Sequence, residues 1–247
     1  MPKIESIIVS FNCLDLLSIT LPRNINEYDN IIIVTKPEDI ETIEYCRSIA
    51  NNNITIFTTS VFNYDGAVFN KGLAIALAMN HLKYNDWIVT QDTDIILPEK
   101  FKEKFFNFEL NKEYFYGMRR INIETKQDLI DLESGFKNID DFICYRGSGY
   151  GYWACCNYNS NTYQNLLKEW GGLGYPFWKK EAREIDWIWR NNWGERVFSP
   201  PLKEFPGCHL KPNNSDYDTG LYKELPMRCL HLGTPGENHE TRKTEKF

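Results

Sequence analysis

Trp87-Ile88-Val89-Thr90-Gln91-Asp92-Thr93-Asp94 sets an apolar, β-branched run directly against two carboxylates. Such a run has the length and composition of a strand buried on both faces, as a parallel sheet covered by helices requires. Upstream, Ile4 to Ser10, Ile31-Ile32-Ile33-Val34 and Ile54 to Thr58 repeat it. Helical spacings lie between them. Cys13 to Leu21 has Asn12 as its cap and Pro22 as its stop. Pro37 suits a first turn, with Ile40, Ile43, Arg47 and Ala50 following, and Ala67 to Leu82 is apolar on more than one side. This alternation implies an α/β fold with a mostly parallel central sheet flanked by helices. Such sheets take ligands at the carboxyl ends of their strands. Asp92 and Asp94 fall at that edge, as do Ser10, Phe11 and Asn12 after the first strand and Thr35 after the second.

Beyond Pro98 the pattern loosens. The spacing predicts a helix around Phe101, Phe105 and Phe108, a strand near Tyr114–Met118, and a polar loop from Ile123 to Asp141. A strand over Tyr150–Cys156 precedes a helix carrying Tyr163, Leu166, Leu167 and Trp170, and another helix runs from Glu181 to Trp193. The remainder is loop-rich, with a short apolar stretch at Met227–Leu230 and a basic tail. No repeat or linker divides the chain.

With 42% hydrophobic and 25% charged residues among 247, wholesale disorder is excluded. A net charge of −6 argues against a surface built chiefly to grip a polyanion. No apolar run reaches the roughly 18–20 residues that cross a bilayer, and Met1 to Ser6 carries no signal-peptide core. Seven scattered cysteines without Cys-x-x-Cys read as reduced thiols. A cytoplasmic location is therefore expected. Cys155-Cys156 reads as ordinary packing, and the sequons at Asn53 and Asn213 as chance.

In an extended segment residues i and i+2 point the same way, so Asp92 and Asp94 can reach one cation. Oxygen ligands suit Mg²⁺ or Mn²⁺, with water and substrate phosphates filling the other positions. The plainer alternative is that one carboxylate caps a helix starting near Pro98 and the other is solvated.

Together, Ile7-Ile8-Val9-Ser10-Phe11-Asn12, Ile31 to Thr35, Phe69-Asn70-Lys71-Gly72 and Trp87 to Pro98 resemble the glycosyltransferases of the GT-A fold, close in style to glycosyltransferase family 2. The resemblance covers residues 4–100 well and the rest in outline. It implies a single GT-A (Rossmann-like) domain over 1–247, with a nucleotide-sugar donor half at 1–100 and an acceptor half and C-terminal tail at 101–247. It implies Mn²⁺ (or Mg²⁺) on Asp92 and Asp94, with His231 completing the metal shell, although a lone His after an apolar stretch is also a common structural residue. The donor implied is a UDP- or GDP-type nucleotide diphosphate sugar, and the acceptor a hydroxyl on a glycan or small molecule, attacked with inversion.

Donor contacts carried over by position fall on Ser10, Phe11, Asn12 and the segment from Thr35 to Asp39. There Thr35-Lys36-Pro37 replaces the family's usual acidic pair, so the base is not named. Asn70 and Lys71 map near the nucleotide, Lys71 meeting phosphate or simply solvated. Arg242, with His239 and Lys243, folds over the diphosphate or stays in solvent. The matching segment for the catalytic base is Glu184 to Arg190, with Asp186 first and Glu184 second. On a helix these point about 200° apart, and an i,i+4 pair between Asp186 and Arg190 is the alternative.

Six of seven tryptophans lie between Trp153 and Trp193, and one or two of Trp153, Trp170, Trp178 and Trp187 are expected to line an acceptor pocket. Gly147 to Gly151 reads as a turn rather than a phosphate cradle. Three other readings stay open: a hydroxylated DNA base as acceptor, a sugar nucleotidyltransferase, and a catalytically silent nucleotide-sugar binder. Against the second, Ser10-Phe11-Asn12-Cys13 stands where a Gly-rich, basic triphosphate loop is needed.

Overall fold

Alternate residues of the central strands enter opposite layers, as the two-residue repeat of a strand requires. The computed structural model describes residues 1–49, 52–67, 69–114, 116–123, 125–142, 150–156, 160–169 and 223–232. In chain order the elements are β1 (Ile4–Val9), α1 (Leu14–Asn24), β2 (Asn30–Thr35), α2 (Ile40–Ser48), β3 (Ile54–Thr58), α3 (Lys71–Ala78), β4 (Trp87–Asp92) and β5 (Ile95–Ile96). They continue with α4 (Phe101–Asn107), β6 (Tyr116–Ile123), α5 (Lys126–Glu133), β7 (Tyr150–Cys156), α6 (Asn161–Glu169) and β8 (Lys223–Leu232).

Ile7, Val9, Ile32, Val34 and Ile88 pack with Ala74, Ile75 and Ala78 of α3 and Tyr163 of α6. Ile8, Ile31, Ile33, Trp87 and Val89 pack on the other side with Leu17 and Leu21 of α1, Cys46 of α2, and Phe101 and Phe105 of α4. Each such side chain withdrawn from water contributes about 1.5–3 kcal/mol. Double-sided burial is why these strands read as unbroken apolar runs.

The strand order is β3-β2-β1-β4-β7-β6-β8-β5. β3, β2, β1 and β4 are parallel, whereas β7 runs antiparallel to both β4 and β6. β8 then pairs parallel with β6 and antiparallel with β5. The α/β, Rossmann-like fold with its mixed, mostly parallel sheet is thus present.

Local expectations need correction in several places. Pro22 does not stop α1, which continues to Asn24. Proline has no N–H for the Ser18 carbonyl four residues back, and the Tyr45 hydroxyl of α2 donates to that oxygen instead, at 3.2 Å. Asn12 does not cap this helix. It holds a positive φ of 52°, and Cys13 is the residue at the cap. α2 starts at Ile40 rather than Pro37 because the Asp39 carboxylate accepts from the Thr42 amide. α3 is shorter than Ala67 to Leu82, since the Asn70 side chain caps it at the Leu73 amide.

The expected loop from Ile123 to Asp141 contains α5, with Thr125 accepting from the Asp128 amide. The Met227–Leu230 stretch is part of a ten-residue strand, β8. Pro226 falls where the β6–β8 register shifts between Gly117 and Arg119, the kind of irregularity that tolerates a residue unable to donate to a ladder. The expected helix from Glu181 to Trp193 lies outside the described residues. Among the described residues no helix is long and apolar enough to cross a membrane.

Candidate functional site at the carboxyl edge of the sheet

β4 ends at Asp92, and Thr93 and Asp94 form the turn into β5. The pair therefore does not share one extended segment, and the same-side argument for its carboxylates does not apply. Their surroundings differ as well: the Asp92 side chain is 32% exposed, whereas Asp94 is buried.

Hydrogen bonds fix this turn from three directions. Thr93 Oγ1 donates to the Val9 carbonyl of β1 at 2.8 Å, and Thr20 Oγ1 of α1 donates to the Thr93 carbonyl at 2.7 Å. Asn24 Nδ2 donates to the Ile95 carbonyl at 2.7 Å, while its Oδ1 accepts from the Leu97 amide at 2.9 Å. Gln91 Nε2 also reaches the Ile95 carbonyl, at 3.1 Å, and its Oε1 accepts from Tyr28 at 2.6 Å. All these bonds are buried, so breaking one orphans a polar group. Tyr28, Gln91, Thr20 and Asn24 belong to the positioning of the acidic turn, and none of the four was given that role from the sequence.

Asn70 and Lys71 are both buried at the start of α3. Lys71 Nζ donates to Asp92 Oδ1 at 2.7 Å. The helix start thus delivers a cation onto the acidic turn.

One strand away, a cavity of about 430 Å³ opens between the loops after β1, β2 and β3, lined by Phe11, Asn12, Lys36, Glu38, Asp39, Ser60 and Asn63. Phe11 stacks on Phe62 with ring centroids 5.5 Å apart, and Phe62 stacks on Phe69 at 5.5 Å. Lys36 Nζ stands 3.9 Å over the Phe11 ring and donates to Asn63 Oδ1 at 2.6 Å. Asp39 Oδ2 accepts from the Asn12 amide at 3.2 Å and from Thr35 Oγ1 at 2.7 Å. Its carboxylate therefore ties the loop after β1 to that after β2 as well as capping α2.

Of the residues read from sequence, Phe11, Asn12 and Asp39 line this cavity. Thr35 sits behind Asp39. Ser10 is fully buried, its amide bonded to the Val34 carbonyl at 2.8 Å and its Oγ without a partner. Lys36 and Glu38 fall within the Thr35–Asp39 segment that the resemblance implied, whereas Ser60 and Asn63 were not singled out as contacts. The signal for them was positional, since each follows a strand at its carboxyl end.

β8 passes beside the acidic turn, with His231 opposite Ile95 and Leu230 opposite Ile96. His231 is thereby one register position from Asp94. Asp186, Glu184 and Arg242 lie outside the described residues, as do Trp170, Trp178, Trp187 and the stretch from Gly147 to Gly149. Among the described residues no group of three or more His, Cys, Asp or Glu side chains is arranged to hold a metal ion. Two carboxylates nonetheless supply the hard oxygen donors that Mg²⁺ and Mn²⁺ take. Lys71 occupies one oxygen that such an ion would share.

No protein-family model matches the chain, and no curated protein does. Among solved structures, 4-diphosphocytidyl-2C-methyl-D-erythritol synthase from Anaerococcus prevotii is similar at 17% identity and a TM-score of 0.45, covering 76% of this chain and 84% of that one. The inositol-1-phosphate CTP transferase from T. maritima is similar at 8% identity and 0.48, covering 96% and 92%. The galactosyltransferase LgtC is similar at 12% and 0.45, covering 94% and 88%. At these values the likeness concerns the course of the chain and carries nothing about reaction or substrate.

Proposed function

We propose that the chain is a metal-dependent glycosyltransferase that moves a sugar from a UDP- or GDP-type nucleotide diphosphate sugar to a hydroxyl acceptor on a glycan or small molecule, with inversion. One juxtaposition carries this reading: an aromatic-floored cavity and a braced acidic turn lie on neighbouring strands of the same sheet edge, Val9 pairing with Asp92. A base and ribose suit the cavity, and the diphosphate then extends toward Asp92 and Lys71.

Asp92 and Asp94, with His231 on the neighbouring strand, are the residues that would hold Mn²⁺ or Mg²⁺. Bound there, the ion stabilises negative charge on the departing nucleoside diphosphate. Lys71 supplies a protein cation to the same phosphates, buried and aimed by α3. Thr20, Asn24 and Gln91 hold the turn so that its carboxylates need not reorganise when charge develops. Asp186 remains the proposed acceptor base, with Glu184 second, and Arg242 a further phosphate contact.

The test is incubation of the purified chain with UDP- and GDP-sugars and Mn²⁺, followed by release of nucleoside diphosphate. Release that fails in Asp92→Asn supports the reading. Pyrophosphate formed from nucleoside triphosphate and sugar phosphate would replace it with nucleotidyl transfer.

A further inference from the structure

The backbone around Lys71 is fixed on both sides. The Asn70 amide donates to the Phe62 carbonyl at 2.7 Å, and the Lys71 amide to the Phe69 carbonyl at 2.9 Å. Asn70 Oδ1 accepts from the Leu73 amide at 2.9 Å, while Ala74, Ile75 and Ala78 anchor α3 in the core. Movement of the Lys71 ammonium away from Asp92 is therefore left to its own side-chain torsions.

The two partners are unequally shielded: the Lys71 side chain is 9% exposed and that of Asp92 32%. A buried ammonium keeps its charge only beside a compensating anion, and Asp92 Oδ1 at 2.7 Å supplies one. Each member of the pair thus stands where a ligand of the other would bind. At Asp92 the ammonium takes an oxygen that a divalent ion would share. At Lys71 the carboxylate takes the place of a phosphate oxygen.

An ion that reaches Asp92 alone sets a second positive charge against the buried Lys71. A phosphate that reaches Lys71 alone draws it from Asp92 and leaves that carboxylate uncompensated beside another anion. When both arrive, the ion compensates Asp92 and the phosphate compensates Lys71, so one pair is broken for two ligands. Such sharing makes each ligand tighten the other by the same factor.

Resting on the metal- and nucleotide-binding reading above, we infer that the Lys71–Asp92 pair keeps the acidic turn closed to a divalent ion until nucleotide phosphates draw Lys71 away, so that metal and nucleotide are taken up together. Titration of the full chain with Mn²⁺ alone, followed by loss of the free-ion electron paramagnetic resonance signal, tests this without turnover. Lys71→Met and Lys71→Gln bind Mn²⁺ at least about tenfold tighter than wild type, whereas Lys71→Arg, which keeps the charge, stays within about twofold of it. With saturating UDP, measured against UDP and Mn²⁺ without protein, the tightening of Mn²⁺ is at least about tenfold larger in wild type than in either neutral variant. The two neutral variants are independent of each other, and the melting profile shows which of them is folded.

Equal or weaker Mn²⁺ binding by the folded neutral variants overturns the closed pair, and a UDP effect that persists in them leaves the metal and nucleotide sites standing. Failure of every protein to bind Mn²⁺, with UDP or without it, overturns the metal reading itself and this inference with it.

Discussion

The two ends of the parallel strands leave their charges open to different degrees. At the amino end, acids are answered by the protein. Asp29 takes Lys3 and Lys102, each at 2.8 Å, and Asp86 takes Lys112 at 3.2 Å. Glu5, fully buried, accepts from Asn30 Nδ2 at 2.8 Å and from the Lys83 and Tyr84 amides at 2.9 and 2.8 Å. At the carboxyl end Asp92 takes Lys71 at 2.7 Å yet keeps its side chain 32% exposed, and Lys36, Glu38 and Asp39 stand around an open cavity. The first end closes the loops of a sheet. The second holds charge in place for something else.

Substitutions at the two ends should therefore separate stability from ligand binding. Glu5→Ala leaves three donors without their acceptor and should cost about 3 kcal/mol or more, read as a lower urea midpoint, with nucleotide affinity of the folded fraction unchanged. Asn24→Ala removes two buried bonds from the acidic turn, at about 2–3 kcal/mol, and should also weaken nucleotide binding by calorimetry. Asp39→Ala loses a helix cap and the Asn12–Thr35 brace, about 1–2 kcal/mol. Glu38→Gln, at the cavity wall, should stay within about 0.5 kcal/mol of wild type by urea midpoint.

Acid sharpens the same contrast. Burial pushes the Asp29 carboxyl upward, but its bonds from Lys102, Lys3 and the Ile4 amide outweigh this and hold it below the ordinary range. A depressed carboxyl contributes stability that is complete above its unfolded value of about 3.9 and is lost as pH falls through the lower folded value. Urea titrations from pH 5 down to pH 2 should show this loss, and Asp29→Asn should reduce its slope.

Legibility in the sequence followed the same divide. β1 to β4 are encoded locally, because burial on both faces demands runs such as Ile31 to Val34 with helices between them. The carboxyl edge came with them, and so did Phe11, Asn12, Asp39 and Asp92. β5 and β8 depend on partners far along the chain, and β6, expected near Tyr114–Met118, runs on to Ile123 beside β8. Two residues, Ile95 and Ile96, make a strand only because Leu230 and His231 lie beside them. α5 was hidden by Ile130, an apolar residue that is exposed and so blurs the helical stripe. Lys36 lay within the Thr35–Asp39 segment, but a lysine after a strand looks like any solvated residue until the Phe11 ring and Asn63 are set beside it.

The acidic turn bears the most weight and is the place to measure. Titration of UDP and GDP into the wild-type chain and Asp92→Asn, each with Mn²⁺ and with EDTA, isolates it. Mn²⁺ should tighten binding at least about tenfold in the wild type and leave Asp92→Asn unaffected, with both proteins equally folded. An equal Mn²⁺ effect in the two proteins would contradict the account.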